Sequence, residues 1–208
     1  MSQARTICLF AHTDSGKTTQ VGRFARFVRE KSGKSIRLIS ADPSGWDCIQ
    51  HLVEHGLIEA WSITGLERNP LSVLYKLAHG DWPEAAPDGK LHLRPATAET
   101  WARIGGYAIE GVSTISELIE RHLRATGPRL AQDPSYQYTE KGEPGDTDFR
   151  IYGSNQSYVG FIQREMNSLV VAFGGLPVER VLWTAHEAIG EEEDTRLSIF
   201  GPDMAGKK

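Results

Sequence analysis

Gly16, Lys17 and Thr18 carry the most specific chemistry in the chain. They follow an apolar run, Thr6-Ile7-Cys8-Leu9-Phe10, and a short polar loop, Ala11-His12-Thr13-Asp14-Ser15, and they open a helical pattern. A strand, a loop and a helix start in that order make a cradle for phosphate. Loop and helix N-terminal N–H groups point at the anionic oxygens. Glycine at 16 lets the backbone come close. Lys17 has the reach for β- and γ-phosphates, and the Thr18 hydroxyl suits Mg²⁺. The expected nucleotide contacts are therefore Ala11, His12, Thr13, Asp14, Ser15, Gly16, Lys17, Thr18 and Thr19. The spacing matches G-x-x-x-x-G-K-[ST], except that Ala11 occupies the first glycine place. A Cβ there is expected to alter the turn.

Two acids follow apolar runs and belong at the same edge of a sheet. Ile36-Arg37-Leu38-Ile39-Ser40-Ala41 ends in Asp42, and Tyr107-Ala108-Ile109 ends in Glu110. Ligands of open α/β sheets bind outside the carboxyl ends of the strands. Asp42 there can orient or deprotonate a water, or simply cap a turn. Glu110 is the candidate for the Mg²⁺ shell, together with Thr18. Val181–Glu187 is a further strand. Its Thr184 and His186 point toward a γ-phosphate if that strand neighbours the loop. The alternative for His186 is a structural histidine at a strand end.

The elements that must hold these residues alternate. Residues 5–10 read as a buried strand, and Val21, Phe24, Ala25 and Val28 give the next helix its apolar face, ended near Gly33. A second strand, a helix over about 46–55, a strand at Ile58–Ile63 and a helix opened by Asn69-Pro70 follow. Residues 79–96 are rich in Gly, Pro and Asp and read as an irregular excursion. Thr97 caps a short helix, Gly106–Glu110 is a buried strand, and Ser113 caps a helix that Gly127-Pro128 stops. Residues 128–154 read as a long loop. A helix over about 156–173, the strand at Val181 and a last strand near Arg196–Phe200 close the chain. Strands alternating with helices define an α/β fold with a mostly parallel sheet and helices on both faces.

At 208 residues, one domain over 1–208 is the expectation, with excursions at 79–96 and 128–154. A net charge of −4 gives no global attraction for nucleic acid, so any such contact is local. Single-stranded DNA enters as a partner only through basic and aromatic loops, where Tyr136, Tyr138 and Tyr152 stand beside Arg129, Lys141 and Arg150. An exposed flap is the competing reading of that segment. Two cysteines, Cys8 and Cys48, make no disulfide framework and fit a reducing cytoplasm. No apolar run reaches membrane-spanning length, and a cytoplasmic protein is expected.

Taken together, Ala11–Thr19, Ser40-Ala41-Asp42, Tyr107–Gly111, Val181–Glu187 and Gly201–Lys207 resemble the P-loop ATPases of bacteriophages and prophages with a RecA-like core. The resemblance implies a three-layer P-loop NTPase fold with a RecA-like sheet, ATP with Mg²⁺, and DNA recombination or strand handling in a bacterial host cytoplasm. It implies Lys17 and Thr18 as phosphate and metal residues, Asp42 as the water-activating acid, Glu110 as the Walker B acid and His186 as the sensor. Two departures, Ala11 for Gly and Asp42 for the usual Glu, bear on the hydrolysis rate. Such proteins usually continue past Gly206-Lys207, which makes a C-terminally truncated product part of the expectation. They also often form homo-oligomers in which a neighbour's cation completes the site, and Lys207 is the candidate, against a frayed terminus. The first half is also similar to the signal-recognition GTPases, but a later D-T-A-G and an N/T-K-x-D motif are missing.

Three functions compete: an ATPase working on or beside DNA, a small-molecule or nucleotide kinase with 128–154 as its lid, and a non-hydrolysing nucleotide-binding scaffold.

Overall fold

A computed structural model describes residues 4–12, 14–42, 46–64, 70–87, 89–130, 155–191 and 198–202, with side chains outside 124–130, 155–159 and 187–202. The first half alternates as expected. β1 (Arg5–Ala11) leads through the glycine loop into α1 (Lys17–Ser32), then β2 (Ser35–Ser40), a 3-10 turn (Asp47–Ile49), α2 (Gln50–Glu54), β3 (Ile58–Ser62) and α3 (Pro70–Ala78). Pro70 sits at the first helical position, where its missing N–H costs nothing.

Residues expected to be irregular then form a hairpin, β4 (Trp82–Ala85) paired antiparallel with β5 (Leu91–Arg94). α4 (Ala98–Arg103) starts at Thr97, which exchanges hydrogen bonds with Thr100 in a capping box. β6 (Ile104–Glu110), α5 (Val112–Leu130), α6 (Asn155–Gly174), β7 (Arg180–Glu191) and β8 (Ser198–Pro202) complete the order. Two expectations about α5 fail. It begins before Ser113, whose hydroxyl instead accepts the His186 N–H at 3.2 Å. It also runs through Gly127-Pro128 to Leu130, so the expected stop falls inside its last turn.

The main sheet is ordered β1-β7-β6-β2-β3, these five strands all parallel, with β8 antiparallel on the far part of β7. Side chains alternate across it and split the core in two. Ile36, Leu38, Ala108 and Leu182 face α1 and α2, meeting Val21, Phe24, Ala25, Val28, Ile49 and Leu52. Ile39, Tyr107, Ile109, Val181 and Trp183 face α3, α5 and α6, meeting Leu74, Ile119, Met166 and Phe173. Each fully buried Leu, Ile or Phe contributes roughly 1.5–3 kcal/mol of apolar transfer. Helices therefore cover both faces of the sheet, in three layers.

β1 departs from its expected burial. It pairs with β7 on one side only, and Ile7 and Phe10 remain 43% and 40% exposed. A continuous apolar run signals a strand with neighbours all round, but strand order is decided by contacts distant in sequence, and here it puts that run at the sheet edge. Among the described residues no helix is long and apolar enough to cross a membrane.

Candidate functional site

The loop between β1 and α1 is shaped by left-handed backbone. Asp14 has φ 60° and Gly16 has φ 82°. Asp is among the few side chains that tolerate this region, and glycine adopts it without strain. Gly16 is the N-cap of α1 and supplies no side-chain cap. The first-turn N–H groups have no intrahelical acceptor and are available to an anion. The Lys17 ammonium donates to the carbonyls of Ala11 at 2.9 Å and His12 at 2.6 Å, tying the helix start back to the strand end. Ala11 itself is the last residue of β1, in register with His186, and Asp14 is the only described non-glycine with positive φ. Ala11 stands in extended backbone, which accepts any L-residue.

The acids arrive through strand register. Ser40 lies opposite Glu110, and Glu110 opposite Thr184, while Leu9 flanks Thr184 on the other side. All four strands end at the same edge. The Thr18 hydroxyl donates to Glu110 Oε1, joining residues 92 positions apart. Glu110 is buried, and its Oε2 has no partner among the described residues; the Thr184 hydroxyl is buried and equally unpartnered. Burial pushes the Glu110 carboxyl up to about 7; the Thr18 hydrogen bond opposes that, the Asp42 charge adds to it and the Lys17 charge opposes it. Burial also pulls the Lys17 ammonium down, against the charges of Glu110 and Asp14. An acid pushed up beside a base pulled down marks a desolvated site short of compensating polar partners.

These residues line one cleft of about 290 Å³. Of the expected contacts, Asp14, Gly16, Lys17, Thr18, Thr19, Asp42, Glu110 and His186 are on its wall. Ala11 and His12 instead hold Lys17 through their carbonyls, and the Ser15 N–H donates to the His12 carbonyl at 3.3 Å. Asp42 is on the rim, just past a turn in which its N–H donates to the Ser40 hydroxyl at 3.1 Å. Thr13, Lys207 and the tyrosine-rich segment 131–154 lie outside the described residues. Cys48, Gly111, Thr114 and Ala185 also line the cleft and had not been singled out for it. Gly111 and Thr114 follow the carboxyl end of β6 closely and Ala185 lies within β7, whereas Cys48 stands in the turn after β2 with no spacing signal of its own.

The donors are oxygen atoms: one hydroxyl and one carboxylate with a free oxygen. That is the sparse protein share typical of Mg²⁺, which takes one or two carboxylates and keeps water and phosphate for the rest. No cluster of three or more His, Cys, Asp or Glu suited to a metal occurs among the described residues. By fold, this is an α/β protein with a mostly parallel sheet and a loop-to-helix cleft at its carboxyl edge. Among known proteins, no family model matches the chain and no curated protein is significantly similar to it.

Proposed function

We propose that the chain is a P-loop ATPase with a RecA-like core that binds ATP with Mg²⁺ in this cleft. The observation that carries the reading is the Thr18–Glu110 hydrogen bond beside Lys17, with Glu110 Oε2 left open. A phosphate-loop motif matched by chance gives no reason for a buried acid, 92 residues on, to meet its threonine. Thr18 and Glu110 would hold Mg²⁺, which would supply charge neutralisation for the phosphates. Lys17 would exchange its two carbonyl partners for phosphate oxygens, and the α1 N-terminus would supply N–H donors. Asp42 would orient the attacking water or take its proton, with His186 and the Thr184 hydroxyl as further polar groups of the same cleft. The presence of Asp42 in the cleft favours hydrolysis over a passive scaffold. Phage-type DNA metabolism comes from the resemblance of the motifs rather than from the cleft.

The first test is binding. A charge-assisted hydrogen bond is worth roughly 1.5–3 kcal/mol, so Lys17→Ala should weaken ATP by about tenfold to a hundredfold in calorimetry. A folded Lys17→Ala protein with wild-type affinity refutes the site. The second is turnover. Asp42→Asn should keep ATP affinity and lose phosphate release, measured with and without single-stranded DNA. Stimulation by DNA supports the DNA role. Turnover only with a small acceptor turns the reading to a kinase.

A further inference from the structure

The cleft has a thiol in its wall. Cys48 lies in the 3-10 turn Asp47–Ile49 and is exposed and free. The turn is held firmly against α1. Its Ile49 is buried, and a Cβ added to Gly22 would stand 2.9 Å from the Ile49 side chain. The thiol is thus carried on a turn with little slack, lining the same cleft as Lys17, Thr18 and Asp42. That the cleft takes a polar ligand rests on separate observations. Glu110 Oε2 and the Thr184 hydroxyl, in residues only 6% and 1% exposed, line it without partners among the described residues. Buried polar atoms in that state call for a ligand or solvent.

We propose that Cys48 is a thiol-modification site that closes the phosphate cleft: a small disulfide adds there and excludes nucleotide, and bound nucleotide shields the thiol. This rests on the nucleotide reading given above. The low-molecular-weight disulfide is itself the oxidant, and one of its sulfurs is reduced as Cys48 is oxidised. The Cys48 thiol loses its proton to solvent, and the thiolate attacks one sulfur of a low-molecular-weight disulfide R–S–S–R. The new bond is Cys48–S–S–R; the old sulfur–sulfur bond breaks and R–S⁻ leaves, taking up a proton. A dithiol reverses it. Space makes the adduct inhibitory. The cleft measures about 290 Å³, near the lower end of ligand pockets at roughly 300 Å³, so a tripeptide-sized adduct on a lining residue competes with a triphosphate for the same space. The other cysteine, Cys8, is outside the cleft, on β1. It too is exposed and free, but partial burial raises the pKa of its thiol and lowers its thiolate fraction.

The test uses the full chain with Cys8→Ser, treated with oxidised glutathione until intact mass shows a single adduct. ATP affinity in Mg²⁺ is then measured by calorimetry. The adduct should weaken ATP by about tenfold or more, and dithiothreitol should restore it. Saturating ATP with Mg²⁺ should slow adduct formation. Cys48→Ser protein, treated identically, should keep the affinity it had before treatment. In the wild-type chain, peptide mass mapping should find Cys48 modified ahead of Cys8. Adduct-bearing protein that binds ATP as well as untreated protein overturns this proposal alone. Untreated protein that binds no ATP overturns the nucleotide reading and this one with it.

Discussion

Glu110 shows how one buried acid ties stability to the site. Its carboxyl is raised from 4.5 to about 7, chiefly by burial. Between those values the folded chain holds a proton that the unfolded chain has released, so stability falls as pH rises. The contribution is fully present below pH 4.5 and lost as pH passes about 7, a change of about 3 kcal/mol. Glu110→Gln should remove that component: in urea unfolding of the ligand-free proteins, the variant should gain stability on wild type as pH rises from about 5 to 8. Parallel wild-type and variant curves would place the pH dependence elsewhere. Lys17, Thr18 and Glu110 were legible in the sequence because their chemistry is local to strand ends and a motif. Thr184 was noticed only conditionally, since what matters about it is the strand beside it. Cys48 was invisible as a site residue because no spacing rule joins it to Gly16.

At the scale of elements, strands and helices declared themselves through periodicity, and the connections did not. The β4–β5 hairpin is the clearest case. Only β5, Leu91-His92-Leu93-Arg94, alternates, over too few residues to declare a strand, and Pro83 argues against a strand except at an edge. What holds it is Arg37, read from the sequence only as one residue of β2. Arg37 is 2% exposed. Its guanidinium donates to the Gly80 carbonyl at 3.0 Å, the Tyr107 hydroxyl at 2.9 Å and Glu59 at 3.0 Å. It also lies 4.6 Å from the centre of the Trp82 ring. One buried side chain thus fastens the start of the hairpin to β6 and β3. Arg37→Ala should cost about 3–5 kcal/mol, the range for breaking a buried charged network. Tyr107→Phe should cost only about 1 kcal/mol, because Gly80 and Glu59 remain to Arg37. Equal losses for the two variants in chemical denaturation would mean that the ring hydroxyl, not the arginine, organises the contact.

At the scale of the whole molecule the sequence supplied the layers but not the order. Apolar residues on both faces of β2, and near-continuous apolar runs in β1, β6 and β7, require a sheet covered on both faces. That is what the two core clusters show. Which strand stands at the edge depends on pairings across the chain, and no local pattern encodes them. The order β1-β7-β6-β2-β3 makes a sharp energetic statement. Ile7 and Leu38 both point to the α1 side of the sheet, Ile7 in register with Leu182 and Leu38 with Ala108. Leu38 is fully buried, whereas Ile7 is 43% exposed at the open edge. Leu38→Ala should therefore cost about 2–5 kcal/mol through lost transfer energy and the cavity left behind. Ile7→Ala loses only part of the transfer term and opens no cavity, so about 1 kcal/mol or less is expected. Thermal and urea unfolding of the two variants, each at several protein concentrations, measure the difference. A small and concentration-independent loss for Ile7→Ala fits an open edge. A loss as large as that of Leu38→Ala would show that β1 is covered in solution, and a loss that grows with protein concentration would show that a second copy covers it.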